Sequence, residues 1–370
     1  RYTLENMKYS GRGSGDSDRV SFERERRSAR MNAVHREPDF ENILKVLRCE
    51  KPSRPTLFEF FMNDVVYREA AGEPPAERTP LNTVRYLAKA YAACGYDYVN
   101  AQGCTLSFNP KIQERKNTVS LNGRVCIADW ESFERFQWPD PASFDFSVLK
   151  EAAPFLPGNM KIMLSGPGGV LENVIDLVGY DNLCYLIFDE PELVAAVFEK
   201  VGSILAAYYE QGAQYDSVGI IMSNDDWGFN TQTMLSPEDL RKYVFPWHKK
   251  IVESAHKNGK PAVLHSCGNP EEIMEDIICD MKFDGKHSYE DNIISVEEAY
   301  RRWGGRIAIL GGIDVDFLIR SECGVITERC RKMLELAQEK GGYALGSGNS
   351  IPEYIPNEKY FAMTAAVADS

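Results

Sequence analysis

From residue 38 onward the chain alternates, eight times over, between a short strand candidate and a longer stretch with apolar residues at helical spacing. The strand candidates fall at 55–61, 96–101, 161–166, 218–224, 261–266, 283–288, 307–312 and 343–347. Each has the length and bounding turn residues of a strand buried on both faces. The helical patterns fall at 82–94, 169–178, 192–210, 237–258, 270–279, 296–303 and 326–340; a short one at 40–47 precedes the first strand and another at 357–367 closes the chain. Their ends carry the expected signals. Ser236 stands as an N-cap before Pro237, Glu238 and Asp239, and Gly259, Gly304-Gly305 and Gly341-Gly342 stand just past helix ends. Eight strand–helix units predict an α/β fold, a (β/α)8 TIM barrel. The competing arrangement is a doubly wound open sheet. It lacks support, because Gly166-Pro167-Gly168-Gly169 does not have the spacing of a dinucleotide fingerprint and reads as a turn.

One domain over 38–370 accounts for the alternation. Residues 1–37 form a polar N-terminal extension, glycine- and serine-rich at 10–17 and densely charged at 23–30, which reads as a solvated arm. A net charge of −13 argues against a nucleic-acid partner, since phosphate binding needs a basic surface. No apolar run is long enough to span a membrane, and no secretory leader is expected. The nine cysteines are unevenly spaced and form no secreted disulfide framework, so a reducing cytoplasm is the expected location.

In a parallel barrel the chemistry sits at the carboxyl ends of the strands. The fifth strand ends on His265 and Cys267, one residue apart, so the alternating backbone points both side chains the same way. Histidine with thiolate suits catalytic zinc, which takes a third protein ligand and leaves one position open. The same pair also reads as a hydrogen-bonded histidine beside a buried thiol. Glu59 lies among aromatics in Leu57-Phe58-Glu59-Phe60-Phe61, where an acid needs a polar or metal-bearing cavity. The fourth strand ends in Asp225-Asp226-Trp227-Gly228; carboxylates there suit proton transfer, one facing the pocket while the other caps a segment. The candidate catalytic residues are Asp226, Asp225, Glu290 and Asn349. The candidate substrate contacts are Glu59, Gln102, Trp227, His287, Asp314 and Ser347, and the candidate metal ligands are His265, Cys267 and Glu59. His248 and His256, on the 237–258 helix, read as surface or packing residues.

Four blocks taken in order resemble the uroporphyrinogen decarboxylase superfamily over about residues 38 to 370. They are Asp225-Asp226-Trp227-Gly228 with Leu235-Ser236-Pro237, Leu264-His265-Ser266-Cys267-Gly268-Asn269, Leu310-Gly311-Gly312-Ile313-Asp314, and Tyr343-Ala344-Leu345-Gly346-Ser347-Gly348-Asn349. The resemblance implies the same barrel. It also implies either decarboxylation or zinc-dependent methyl transfer among corrinoid proteins, thiols and methylated or methoxylated compounds. In the methyltransferases a further cysteine follows the eighth strand; here that loop holds Asn349 and Ser350, leaving Glu59, His287 or Glu290 to complete a zinc site. The decarboxylase has an arginine-containing loop after its first strand and a histidine at its eighth. This chain has Glu59-Phe60-Phe61-Met62-Asn63 in the first place, which would repel a polycarboxylate, and no histidine in the second. The favoured expectation is therefore a zinc-dependent methyltransferase. It would move a methyl group from a small methylated or methoxylated substrate to a thiol or to a corrinoid on a separate partner protein, and it would work as a homodimer. A metal-independent decarboxylase and a non-catalytic barrel binding a corrinoid or tetrapyrrole are the alternatives.

Overall fold

The computed structural model describes residues 36–108, 122 and 125–368, so the N-terminal extension expected over 1–37 lies outside the described residues as far as residue 35. Seven parallel strands form one sheet in sequence order: β1 (Tyr98–Gln102), β2 (Lys161–Ser165), β3 (Val218–Asn224), β4 (Ala262–His265), β5 (Gly285–His287), β6 (Ala308–Leu310) and β7 (Tyr343–Ala344). Neighbouring parallel strands need a crossover, and helices supply it at each step. The result is TIM-barrel-like.

The first predicted strand, 55–61, departs from expectation. Only Leu57 pairs, in a parallel bridge to Leu345 just beyond β7. The Phe58 N–H donates to Leu345 O and the Leu345 N–H to Thr56 O, both at 2.8 Å. On the opposite edge the Tyr98 hydroxyl and the Asn100 Nδ2 of β1 donate to the carbonyls of Glu59 and Phe60, at 2.6 and 2.9 Å. The segment therefore stands between β7 and β1 and closes the ring. Side chains of β1, not a backbone ladder, hold its second edge.

Helix Phe40–Leu47 forms as expected, capped by Asp39. The helix predicted over 237–258 forms with a π-turn inside it: Pro237–Asp239 passes into Leu240–Val244 and on into Phe245–Lys257. Pro246 has no N–H to give to the turn before it, and the Phe245 N–H reaches back five residues to Leu240 O. The helix predicted over 270–279 forms over residues 271–280, opening as a 3-10 turn, Glu271–Ile273, and closing as a π-turn, Asp276–Asp280.

Strand register prepares the site. Asn224 of β3 pairs with His265 of β4, and His265 with His287 of β5, so three polar side chains stand level at the carboxyl end of the sheet.

Candidate functional site

Ligand atoms of Asp226, His265 and Cys267 lie within 4.8 Å of one another. His265 closes β4, Cys267 follows after one residue, and Asp226 sits on the turn after β3. The Cys267 N–H donates to Asp226 Oδ1 at 2.8 Å, which ties the two turns together. Backbone contact does the rest. Gly268 has φ +90, and a Cβ there would meet the Gly228 carbonyl at 2.2 Å, so the two turns touch main chain to main chain. The Cys267 Sγ stands 3.7 Å from His265 Nε2. Zinc bonds of about 2.3 Å to sulfur and 2.0–2.1 Å to nitrogen place such a pair roughly 3.6 Å apart in a tetrahedron. Thiolate, imidazole and carboxylate are also the donor types that zinc accepts, so the residues fit that ion. Asp226, not Glu59, is the carboxylate that meets the pair.

His265 is aimed by the residues behind it. The His287 Nε2 lies 3.1 Å from Ser347 O, which can only accept, so that nitrogen carries the hydrogen. Burial holds His287 well below the usual histidine range and keeps it neutral, so its Nδ1 is an acceptor. The His265 Nδ1, 2.8 Å away, therefore donates to it. This leaves the His265 Nε2 lone pair facing Cys267. His265 is itself pushed down to about 3, by burial first and by the Lys286 charge second, so it offers a lone pair and not a proton. Gly311 makes the arrangement possible: a Cβ there would meet Ser347 O at 2.2 Å and His287 Nε2 at 2.9 Å. His287, expected to touch substrate, is thus fully buried as the partner of His265.

The sulfur has two hydrogen-bond partners of its own. The Asn349 Nδ2 donates to Cys267 Sγ at 3.3 Å, and the thiol donates to Ser288 Oγ at 3.8 Å. Asn349 occupies the loop where the methyltransferases carry another cysteine, and here it binds the thiol through its amide. Burial, with the Asp226 charge second, raises the Cys267 thiol well above its ordinary value. Burial also raises Asp226, against the bonds it accepts from Cys267. A cation between them would relieve both.

Other expected site residues lie elsewhere. Asp225 is fully buried and accepts the N–H groups of Leu171 and Glu172 at 2.9 Å each, at the start of helix Val170–Val178. Its Oδ2 also meets His248 Nε2 at 2.8 Å, and the other nitrogen of that ring meets Ser223 Oγ at 3.0 Å. His248 is accordingly a buried partner of the acid, which fits the packing half of the expectation and not the surface half. Trp227 is fully buried against Phe245 and His248 and does not line the pocket. Asp314 caps helix Val315–Arg320 through Phe317 N–H and also accepts from Asp291 N–H. Glu59 and Ser347 bind one another: Ser347 Oγ and N–H lie 2.7 and 3.2 Å from the two carboxyl oxygens. Burial pushes Glu59 up to about 8, against those two bonds. Gln102 lines the large cavity described below.

Two groups escaped the sequence reading. Lys286 is 1% exposed on β5, and burial pulls it down to about 8. Glu172 accepts from Gly169 N–H at 2.8 Å and from Asn224 Nδ2 at 3.2 Å. Burial, then Asp225 and Asp226, raise it to about 8. Lys286 lies in Asp284-Gly285-Lys286-His287-Ser288, a polar run that gives no sign of its burial, and Glu172 has the form of an ordinary capping acid. Glu290 is half-buried near Asp226 and raised, by burial first and Asp314 next.

A cavity of about 1600 Å³ opens at the ends of β1 and β2, lined by Phe60, Asn100, Gln102, Ser165 and Gly166 among others. It does not reach the Asp226–His265–Cys267 cluster directly. Phe60 stands between them, its ring 4.8 Å from that of His265.

The family model described as uroporphyrinogen decarboxylase matches residues 100–370. The chain is 26% identical over 193 residues to the uroporphyrinogen decarboxylase of Anaeromyxobacter sp. (strain Fw109-5), covering 51% of each protein. It is 28% identical over 181 residues to the chloroplastic uroporphyrinogen decarboxylase of Nicotiana tabacum, covering 47% of this chain and 42% of that one. The chain spans about half the length of the curated relatives it matches. Among solved structures, a methyltransferase from Methanosarcina mazei aligns with a TM-score of 0.66 at 19% identity, covering 90% of this chain and 99% of that one, and shares the fold.

Proposed function

The chain belongs to the uroporphyrinogen decarboxylase family, and from that premise we propose that it is a metal-dependent methyltransferase holding zinc through Asp226, His265 and Cys267. The observation that carries this reading is the meeting of those three donors, with the His265 lone pair directed at the sulfur by His287. Zinc held there would act as a Lewis acid, lowering the pKa of a thiol or polarising a methyl-ether oxygen. The residues of the chain supply the remainder. Asn349 directs its amide donor at the Cys267 sulfur and favours its thiolate. Glu290 and Glu172 are both held above the usual carboxylate range, so each keeps a proton to deliver at higher pH than an exposed acid would. The 1600 Å³ cavity exceeds the roughly 300–1,000 Å³ of ordinary small-molecule pockets, and such room suits a methylated or methoxylated substrate together with a corrinoid presented by a partner protein. Two copies of the chain would pair, as the resemblance implies.

The decarboxylase names of the curated relatives favour a second reading, a metal-independent decarboxylase. The lining of the large cavity speaks against a polycarboxylate substrate, because its charged side chains are Arg78 against Asp140, Asp145 and Glu151. Metal analysis of untreated protein, paired with assays of methyl transfer and carbon dioxide release, separates the two. Stoichiometric zinc, lost in His265→Ala and Cys267→Ala together with methyl transfer, is the expected result. Carbon dioxide release from a metal-free protein, abolished in Asp226→Asn, would replace this reading with the second. No helix among the described residues is long and apolar enough to cross a membrane.

A further inference from the structure

Lys286 is the one lysine among the described residues buried from solvent, and the chemistry outlined above leaves it without a task. Its Nζ donates to Ser288 O at 2.8 Å and Ser266 O at 3.3 Å and lies 4.5 Å over the Tyr289 ring. No carboxylate among the described residues pairs with it directly. An ammonium taken out of water is costly unless charge or hydrogen bonding offsets it, and two neutral carbonyls and a ring face are weak compensation. The groups whose negative charge would act on it are those of the site: Cys267, Asp226 and Glu290. The two carbonyls are equally specific in place. Ser266 is the residue between His265 and Cys267, and Ser288 is the residue after His287. One ammonium therefore spans the turn that carries the ligand pair and the turn that follows its aiming histidine.

From this juxtaposition we propose that Lys286 is a positioning residue of the metal centre. Tying Ser266 O to Ser288 O, it fixes the spacing of the His265–Cys267 turn from His287, and its charge lets Cys267 and Asp226 stand side by side. The inference rests on the metal-centre reading of the proposed function, and it assigns to that site a residue that contacts neither metal nor substrate.

Cobalt(II) titration of the metal-stripped full chain, followed through the sulfur-to-cobalt charge-transfer band, tests both levels. The wild type should bind cobalt stoichiometrically with that band. Lys286→Met should weaken binding by about 10- to 100-fold, the usual loss when an outer partner of a ligand is removed, and Lys286→Gln should fall between the two. Lys260→Met is the control: its ammonium also holds a carbonyl, Tyr215 O, away from the site, and its loss should leave cobalt binding unchanged. A wild type without the band overturns the metal centre, and the role of Lys286 with it. A wild type that binds, with both Lys286 variants binding equally well, overturns the Lys286 proposal alone. Should the variants fold only when cobalt is added, the proposal stands; should they fail to fold in either condition, Lys286 is a folding residue and the proposal is wrong.

Discussion

The centre of this molecule depends on which nitrogen of a histidine carries its hydrogen. The Ser347 carbonyl fixes His287, His287 fixes His265, and the free lone pair of His265 ends up beside a sulfur. His287→Phe keeps a ring of similar shape but removes the acceptor, so zinc affinity should fall by about 10- to 100-fold in competition with a chelator. His248→Phe should behave in the opposite way. It deprives buried Asp225 of one partner, costing about 1–3 kcal/mol in urea unfolding, while zinc content holds. His265 and Cys267 were legible in the sequence, because two metal-type side chains one residue apart at a strand end are an unusual pattern. The neighbouring acids were legible only as a pair. Their division of labour depends on the start of helix Val170–Val178, more than fifty residues earlier in the chain, which reaches over to take Asp225. Glu59 was singled out correctly as an oddity but serves Ser347 instead of a metal. Its carboxyl should show itself in pH dependence. Between its ordinary 4.5 and about 8 the folded chain keeps a proton that the unfolded chain has released. Stability should therefore decline with rising pH across that window by up to about 1.4 kcal/mol per unit. Glu59→Gln should remove that share of the slope in urea midpoints measured at successive pH values; an unchanged slope would show that Glu59 ionises normally.

Elements hold the site by contact of two turns, and small residues decide whether they meet. The Asn269 N–H donates to Phe229 O at 2.9 Å beside the Gly228–Gly268 crossing, so the turns after β3 and β4 are sewn together on both sides of Cys267. Gly268→Ala puts a methyl into the Gly228 backbone at a left-handed φ. The turns must separate, carrying Asp226 away from Cys267. Loss of metal binding is expected, with destabilisation of about 1–3 kcal/mol. Gly259 offers the comparison, with φ +68 but nothing within 4 Å of an added Cβ. There Gly259→Ala should cost only the backbone strain of about 1 kcal/mol and spare the metal. If both variants retain metal equally, the turn contact does not shape the site. The same scale explains what the sequence predicted of the fold. Strands β2, β3 and β4 were legible because burial on both faces leaves largely apolar runs, whereas β5, Gly285–His287, has no such run. The 55–61 segment has that composition too, yet Tyr98 and Asn100 take its carbonyls, a diversion no local pattern reveals. The π-turn at Leu240–Val244 followed from Pro246, whose missing N–H was visible but whose effect on the preceding turn was not.

At the scale of the whole molecule the centre gathers the carboxyl ends of widely spaced parts of the chain. Asp226 follows β3, His265 and Cys267 end β4, His287 ends β5, and Ser347 and Asn349 follow β7. Closure of the barrel is weakest next to this group, where 55–61 is held to β1 by side chains, and Phe58 and Phe60 of that segment pack on His287 and His265. A metal bound in the folded chain and not in the unfolded one would therefore brace several strand ends together. Its contribution is set by mass action, about 4 kcal/mol when free metal is a thousand times its dissociation constant. For a chain of this size that corresponds to a melting shift on the order of five degrees. Stripping the protein with a chelator should lower the melting temperature by several degrees or more, and restoring zinc should recover it. The double variant His265→Ala with Cys267→Ala should melt at one temperature whether chelator or zinc is present. This comparison separates a bound metal from a general effect of the chelator, because the variant keeps the surface acids that bind cations weakly. A wild type whose melting ignores both chelator and zinc would remove the metal from the proposed function, leaving Asp226, with its raised carboxyl, as the starting point for a metal-independent decarboxylase.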